Sequence, residues 1–132
     1  MTDYGDNIWA DLGEIGDGVR GSRLRRTPGR PLAAAVWKLD PSSSGVPYHF
    51  HHGTEEPLLV LKGRPVLRMP DGERTLEEGE VVHFPPGSTG AHALSNPTDE
   101  SVRYVMVGAH ASPDIVEYPD EGTFVGVMHA PA

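Results

Sequence analysis

Three imidazoles and two carboxylates lie close together in residues 48–63, which read YHFHHGTEEPLLVLKG. His49 and His51 are two residues apart, so on an extended strand their side chains leave the same face, whereas His52 points the other way. Imidazole and carboxylate together suit zinc, iron, manganese or nickel, while calcium requires more oxygen ligands. The stretch therefore predicts a transition-metal site, and the alternative is a patch of surface histidines.

A further candidate ligand, His92, lies in residues 79–96, which read GEVVHFPPGSTGAHALSN. This pattern predicts a short strand, a Pro-Gly turn and another short strand. Taken in order, the two stretches resemble the two sequence motifs of the cupin superfamily. The matching residues are His49, His51, Glu56 and Gly63 in the first motif, and Gly79, Pro85, Gly87, His92 and Asn96 in the second. The gap between Gly87 and His92 is longer than in the commonest form of the motif, and Gly45 lies closer to His49 than the usual leading glycine.

The resemblance implies an all-β fold, a single-domain jelly-roll barrel of the kind called a double-stranded β-helix. It also implies that His49, His51, Glu56 and His92 bind one divalent metal ion inside the barrel. Glu56 is preferred to Glu55 because it stands at the family's spacing. The YPD sequence at residues 118–120 is similar to the C-terminal part of small bacterial cupins in a largely uncharacterised subgroup.

Four ligands would leave coordination positions free for water, dioxygen or a substrate oxygen. The first expectation is a non-haem iron dioxygenase acting on a small molecule. The alternatives are a redox-neutral isomerase, lyase or decarboxylase, and a module that binds a small molecule or metal without turnover. Glu55 and His83 are the candidate proton carriers, although Glu55 could be a solvated turn residue and the strand face of His83 is ambiguous. His110 and His129 have no partner motif and are interpreted as loop or surface residues.

The elements that must position these residues are short strands, because 13 prolines and 16 glycines suit tight turns and exclude a helical protein. Strands are predicted at 32–39, 58–61, 81–84, 91–94 and 102–107, with a hairpin turning at residues 70–72. Residues 1–18 are expected to form an arm, residues 19–110 the barrel, and residues 111–132 an extension packing on it. In the strand after Glu56, Leu59 and Leu61 are expected to face outward.

The length, composition and charge of the chain limit which ligands and binding partners are expected. The 132 residues fit one domain, the absence of cysteine excludes thiolate ligands, and the net charge of -8 argues against general nucleic-acid binding. No stretch is long and apolar enough for a signal peptide or membrane span, so a cytoplasmic protein is expected. Apolar residues on both faces of the strand at 58–61 predict a homodimer, which Trp9 in the arm could help to anchor. The basic stretch of Arg20, Arg23, Arg25, Arg26 and Arg30 is either a charged edge strand or a mouth that attracts an anionic substrate or an acidic subunit surface.

Overall fold

The computed structural model describes residues 7–22, 25–27 and 29–128, and within them the regular structure is all β apart from one 3₁₀ turn at Ser88–Gly90. The strands in these residues are, in order, β1 Gly13–Gly16, β2 Val19–Gly21, β3 Arg25–Arg26, β4 Leu32–Leu39, β5 Ser43–Ser44, β6 Phe50–His51, β7 Glu56–Lys62, β8 Val66–Met69, β9 Gly72–Thr75, β10 Val81–Phe84, β11 Ala93–Asn96, β12 Val102–Ala109, β13 Asp114–Tyr118 and β14 Thr123–Val127. Arg23, His129 and the outer ends of the expected arm and extension lie outside the described residues. No helix in the described part of the chain is long and apolar enough to cross a membrane.

The strands form three sheets. The largest has the order β1-β2-β4-β12-β7-β10 with β3 beside β4, the second has the order β5-β11-β8-β9, and the third has the order β14-β13-β6. Core residues come from both of the larger sheets, so the sheets pack face to face around one hydrophobic cluster. The expected all-β jelly roll is confirmed.

The side chains of β7 point alternately inward and outward, and one predicted metal ligand points inward. Glu56, Leu58 and Val60 are buried, whereas the odd-numbered side chains between them are only partly buried. β7 lies between β12 and β10, and both of its neighbours run antiparallel to it. The period of two in a strand therefore places the Glu56 carboxylate on the inner face, as the sequence predicts.

The C-terminal residues form a hairpin of β13 and β14 that pairs with the short strand β6. The pairing places Val116 opposite His51. The guanidinium of Arg68 contacts the carboxylate of Asp120 and lies 3.9 Å from the centre of the Tyr48 ring. The hairpin is thus fixed beside the histidine segment, and it contributes to the site described next.

Candidate metal centre

A direct backbone contact brings the two histidine stretches together. His49 and His92 form an isolated antiparallel bridge, with hydrogen bonds of 3.2 Å from the His49 N–H and 2.9 Å from the His92 N–H. The centres of their imidazole rings are 4.7 Å apart. Residues that are 43 positions apart in sequence are therefore neighbours through a pair of ladder hydrogen bonds.

Three side chains converge at one point. His49 lies directly before β6, His51 lies in β6 and Glu56 is the first residue of β7. Each offers one ligand atom, and these atoms all lie within 4.8 Å of one another. Nε2 of His51 is 3.2 Å from a carboxylate oxygen of Glu56. A group of two imidazoles and a carboxylate at this separation could hold a metal ion.

The Nδ1 atom of each histidine is engaged outside this group. In His49 it donates to the carbonyl of Pro47 at 2.8 Å, and in His92 it donates to the carbonyl of Gly90 at 2.8 Å. A carbonyl oxygen can only accept, so both rings carry a proton on Nδ1, and in the neutral form each presents an unprotonated Nε2. Metal-binding histidines are commonly oriented in this way.

His92 lies outside the 4.8 Å group that His49, His51 and Glu56 form, although its imidazole is the most deeply buried of the three histidines, at 3% exposure. Its ring stacks on Phe84 with centroids 3.6 Å apart, and its Nε2 is buried with no hydrogen-bond partner among the described residues. Burial lowers the pKa of His92 to about 4, although the Gly90 carbonyl acts in the opposite direction. Burial likewise lowers the pKa of His49. Both rings are therefore neutral at neutral pH, and a buried nitrogen without a partner fits a metal ligand.

Asp114, in the C-terminal hairpin, holds the third histidine. One of its carboxylate oxygens accepts from Nδ1 of His51 at 2.9 Å and from the Thr54 hydroxyl at 2.7 Å. The other accepts from the N–H groups of Gly53 and Ile115, both at 2.8 Å. Burial raises the pKa of Asp114, but these donors outweigh it and the net pKa is lowered. Asp114 is not among the site residues predicted from the sequence, where its only signal is an acidic side chain at the start of an apolar strand.

The two carboxylates around His51 control its charge. Burial lowers the pKa of His51, but the hydrogen bonds and charges of Glu56 and Asp114 outweigh burial and raise the net pKa. Burial also raises the pKa of Glu56, and its neighbouring histidines more than offset this effect. Glu56 is therefore an ionised carboxylate among imidazoles, which is the charge state that a divalent cation requires.

The two candidate proton carriers lie elsewhere. His83 and Glu55 are exposed and contact each other at 3.2 Å, and neither lines the cavity next to the histidines. His83 is on the outer face because β10 alternates, with Phe84 buried beside it. Both side chains lie away from the cavity wall, and the role in proton transfer that the sequence suggests for them stays a prediction. His52 is also exposed, and its outward direction agrees with its position in the sequence. Its ring lies 3.0 Å from a carboxylate oxygen of Glu117.

A cavity of about 300 Å³ adjoins the histidines. It is lined by Ala35, Trp37, Val46, His49, His51, Glu56, His92, Ala93, Leu94, Tyr104, Met106, His110, Val116 and Tyr118. Apolar side chains dominate the wall, and its side chains with polar atoms, apart from the four candidate ligands, are Trp37, Tyr104, Tyr118 and His110. Burial raises the pKa of Tyr104, so its phenol stays protonated and can donate a hydrogen bond. The sequence suggests a loop or surface position for His110, and the residue is half-buried in the loop after β12.

Known proteins with similar sequences and structures have the same fold as this chain. The sequence model of the cupin domain matches residues 35–108. A sugar phosphate isomerase of the cupin superfamily from Silicibacter pomeroyi superposes with a TM-score of 0.72 at 22% identity, covering 84% of this chain and 76% of that one. A Cupin 2 conserved barrel domain protein from Salinispora arenicola has a TM-score of 0.65 at 27% identity, covering 84% and 91%. KdgF from a Halomonas species has a TM-score of 0.66 at 16% identity, covering 83% and 96%. No curated protein sequence matches the chain.

Proposed function

The chain belongs to the cupin domain family, and from that premise we propose that His49, His51, Glu56 and His92 hold one divalent transition-metal ion that serves a redox-neutral reaction on a small molecule. The observation that carries the proposal is the buried Nε2 of His92, which has no hydrogen-bond partner in the described chain and lies beside His49. Iron, zinc, manganese and nickel all accept this ligand set.

The chain's own residues would prepare the site for an isomerisation or an elimination. Bound at these residues, a divalent ion supplies Lewis-acid stabilisation of the negative charge that develops on a substrate oxygen. Asp114 keeps His51 in one orientation through its Nδ1. The apolar wall excludes water from the substrate, while the phenols of Tyr104 and Tyr118 are hydrogen-bond donors on that wall.

The likeness to a structure named as a sugar phosphate isomerase supports the redox-neutral reaction. A dioxygenase, the first expectation from the sequence, is the second candidate. The observation that favours it is the predominance of apolar side chains such as Trp37, Met106 and Val116 in the cavity wall, which suits an apolar substrate and dioxygen.

Elemental analysis followed by activity measurements separates these candidates. Protein purified without added metal is expected to contain about one transition-metal ion per chain and to isomerise or cleave one of a panel of sugar phosphates without consuming oxygen. Oxygen uptake triggered by an aromatic or other apolar substrate would instead establish the dioxygenase. Bound metal with no turnover in either panel would favour a binding module, and protein that takes up no transition metal would contradict the proposal.

We also propose that the chain forms a homodimer. Exposed apolar side chains support this, because Trp9 is 55% exposed and Phe124, on the outer strand of the C-terminal hairpin, is 70% exposed. Analytical ultracentrifugation is expected to give the mass of two chains, and Phe124→Lys is expected to lower it if the hairpin forms the interface. A wild-type mass of one chain would contradict the dimer.

A further inference from the structure

A second cavity, of about 440 Å³, lies beside the metal cavity. Arg26, Arg30, His110 and Ser112 are among the residues that form its wall. His110 also lines the metal cavity, so the two cavities share one wall residue. The shared residue makes the two cavities neighbours in the fold.

The charge of this second cavity is positive in a protein whose net charge is -8. Its described wall contains two arginines and no carboxylate. Four other arginines of the described chain, Arg20, Arg64, Arg68 and Arg74, are paired with carboxylates; Arg20, for example, lies 3.6 Å from Asp40. Within the described residues, no carboxylate pairs with Arg26 or Arg30. Two guanidinium groups that no carboxylate of the described residues neutralises create a local positive potential in a concave site.

Arg26 carries a further sign of a missing partner. One of its Nη atoms donates to the carbonyl of Arg30 at 2.9 Å, which holds the guanidinium in place. Its Nε is buried and has no hydrogen-bond partner in the part of the chain that the structure describes. A buried hydrogen-bond donor without an acceptor lowers the stability of the folded protein. An anion in the cavity would supply that acceptor. Guanidinium groups bind phosphate oxygens through paired hydrogen bonds.

We propose that Arg26 and Arg30 bind a phosphate group of the substrate, while the rest of that substrate lies in the metal cavity on the other side of His110. The assignment to the substrate rests on the proposed function, because it assumes that the metal cavity is where the reaction occurs. Binding of phosphate by the two arginines does not depend on that assumption. This assigns part of the basic stretch of residues 20–30 to the attraction of an anion.

Calorimetry with inorganic phosphate tests the two arginines directly. Arg26→Gln and Arg30→Gln are each expected to weaken phosphate binding by about tenfold, the loss of one charged hydrogen-bonding group. Arg20→Gln is the matched control, since Arg20 lies in the same basic stretch but pairs with Asp40. The affinity of the Arg20→Gln protein for phosphate is expected to stay within about twofold of that of the wild type. Wild-type protein without saturable phosphate binding, or Arg26 and Arg30 variants that bind as the wild type does, would overturn the proposal.

Because phosphate can also bind a metal ion, the titration is repeated on chelator-treated protein and on His51→Ala. Both are expected to keep phosphate binding, and both are expected to lose about tenfold in affinity when Arg30→Gln is added. Binding that disappears with the metal would place the anion on the metal and would overturn the proposal. Wild-type protein that never takes up metal would contradict the proposed function alone, since phosphate binding by the arginines would still be measured.

Discussion

Protein carrying His51→Ala is expected to lose stoichiometric metal binding while its barrel stays folded. His51 contributes an Nε2 that is 3.2 Å from the Glu56 carboxylate, and it connects Glu56 to Asp114. Its removal deletes a ligand and leaves two carboxylates without their shared partner. Metal affinity, measured by competition with a chelator, is expected to fall more than about a hundredfold, beyond the range for residues that only orient a ligand. The hydrophobic cluster does not include His51, so circular dichroism is expected to be unchanged.

His52→Ala is the matched control for this variant. His52 is the next residue, but its side chain is exposed and bonded to Glu117. The control is expected to retain the wild-type metal content. A His51→Ala protein that kept one tightly bound metal ion, or a His52→Ala protein that lost it, would show that the ion binds elsewhere.

Asp114→Asn is expected to have the second largest effect, on metal affinity and on stability together. The carboxylate is 5% exposed and accepts hydrogen bonds from His51, Thr54, Gly53 and Ile115. An amide would point its own N–H₂ group at some of these donors and would no longer fix His51 by charge. Metal affinity is expected to fall about 10- to 100-fold. The free energy of unfolding, from urea titration of metal-free protein, is expected to fall by about 2–3 kcal/mol.

Glu117→Gln is the matched control for Asp114→Asn, because it removes a carboxylate that contacts a different histidine. Glu117 is on the same strand as Asp114 and also contacts a histidine, but both partners of that pair are exposed. Stability is expected to change by less than about 1 kcal/mol because exposed ion pairs contribute little, and metal affinity should be unaltered. If Asp114→Asn behaved like this control, the proposed role of Asp114 in orienting His51 would be incorrect.

Strands and turns were predictable where local patterning decides them. The strand Leu32–Leu39 and the outward position of Leu59 and Leu61 follow from turn residues and from alternation. The hairpin of β8 and β9 follows from the Asp-Gly pair at residues 71–72, where Gly72 adopts a φ of 133°. The closeness of His49, His51 and Glu56 also follows from strand parity and a short turn, because all three lie within eight residues.

Long-range pairing was not predictable in the same way. Asp114 reaches His51 because β13 pairs with β6, and nothing in either segment specifies a partner 63 residues away. His110 lines both cavities because it follows the end of β12, although it belongs to no motif. The place of His92 came from the resemblance to a family, since spacing alone does not connect it to His49. His83 could not be placed because the face of a four-residue strand depends on its register with β7.

Anomalous diffraction shows whether His49, His51, Glu56 and His92 surround one metal ion. Crystals of protein purified without chelator would be measured above the absorption edge of the metal found by elemental analysis. We expect one anomalous peak per chain, about 2.0–2.2 Å from Nε2 of His49, His51 and His92 and from a carboxylate oxygen of Glu56. A peak that does not contact His92, or crystals of metal-loaded protein with no peak between these residues, would contradict it.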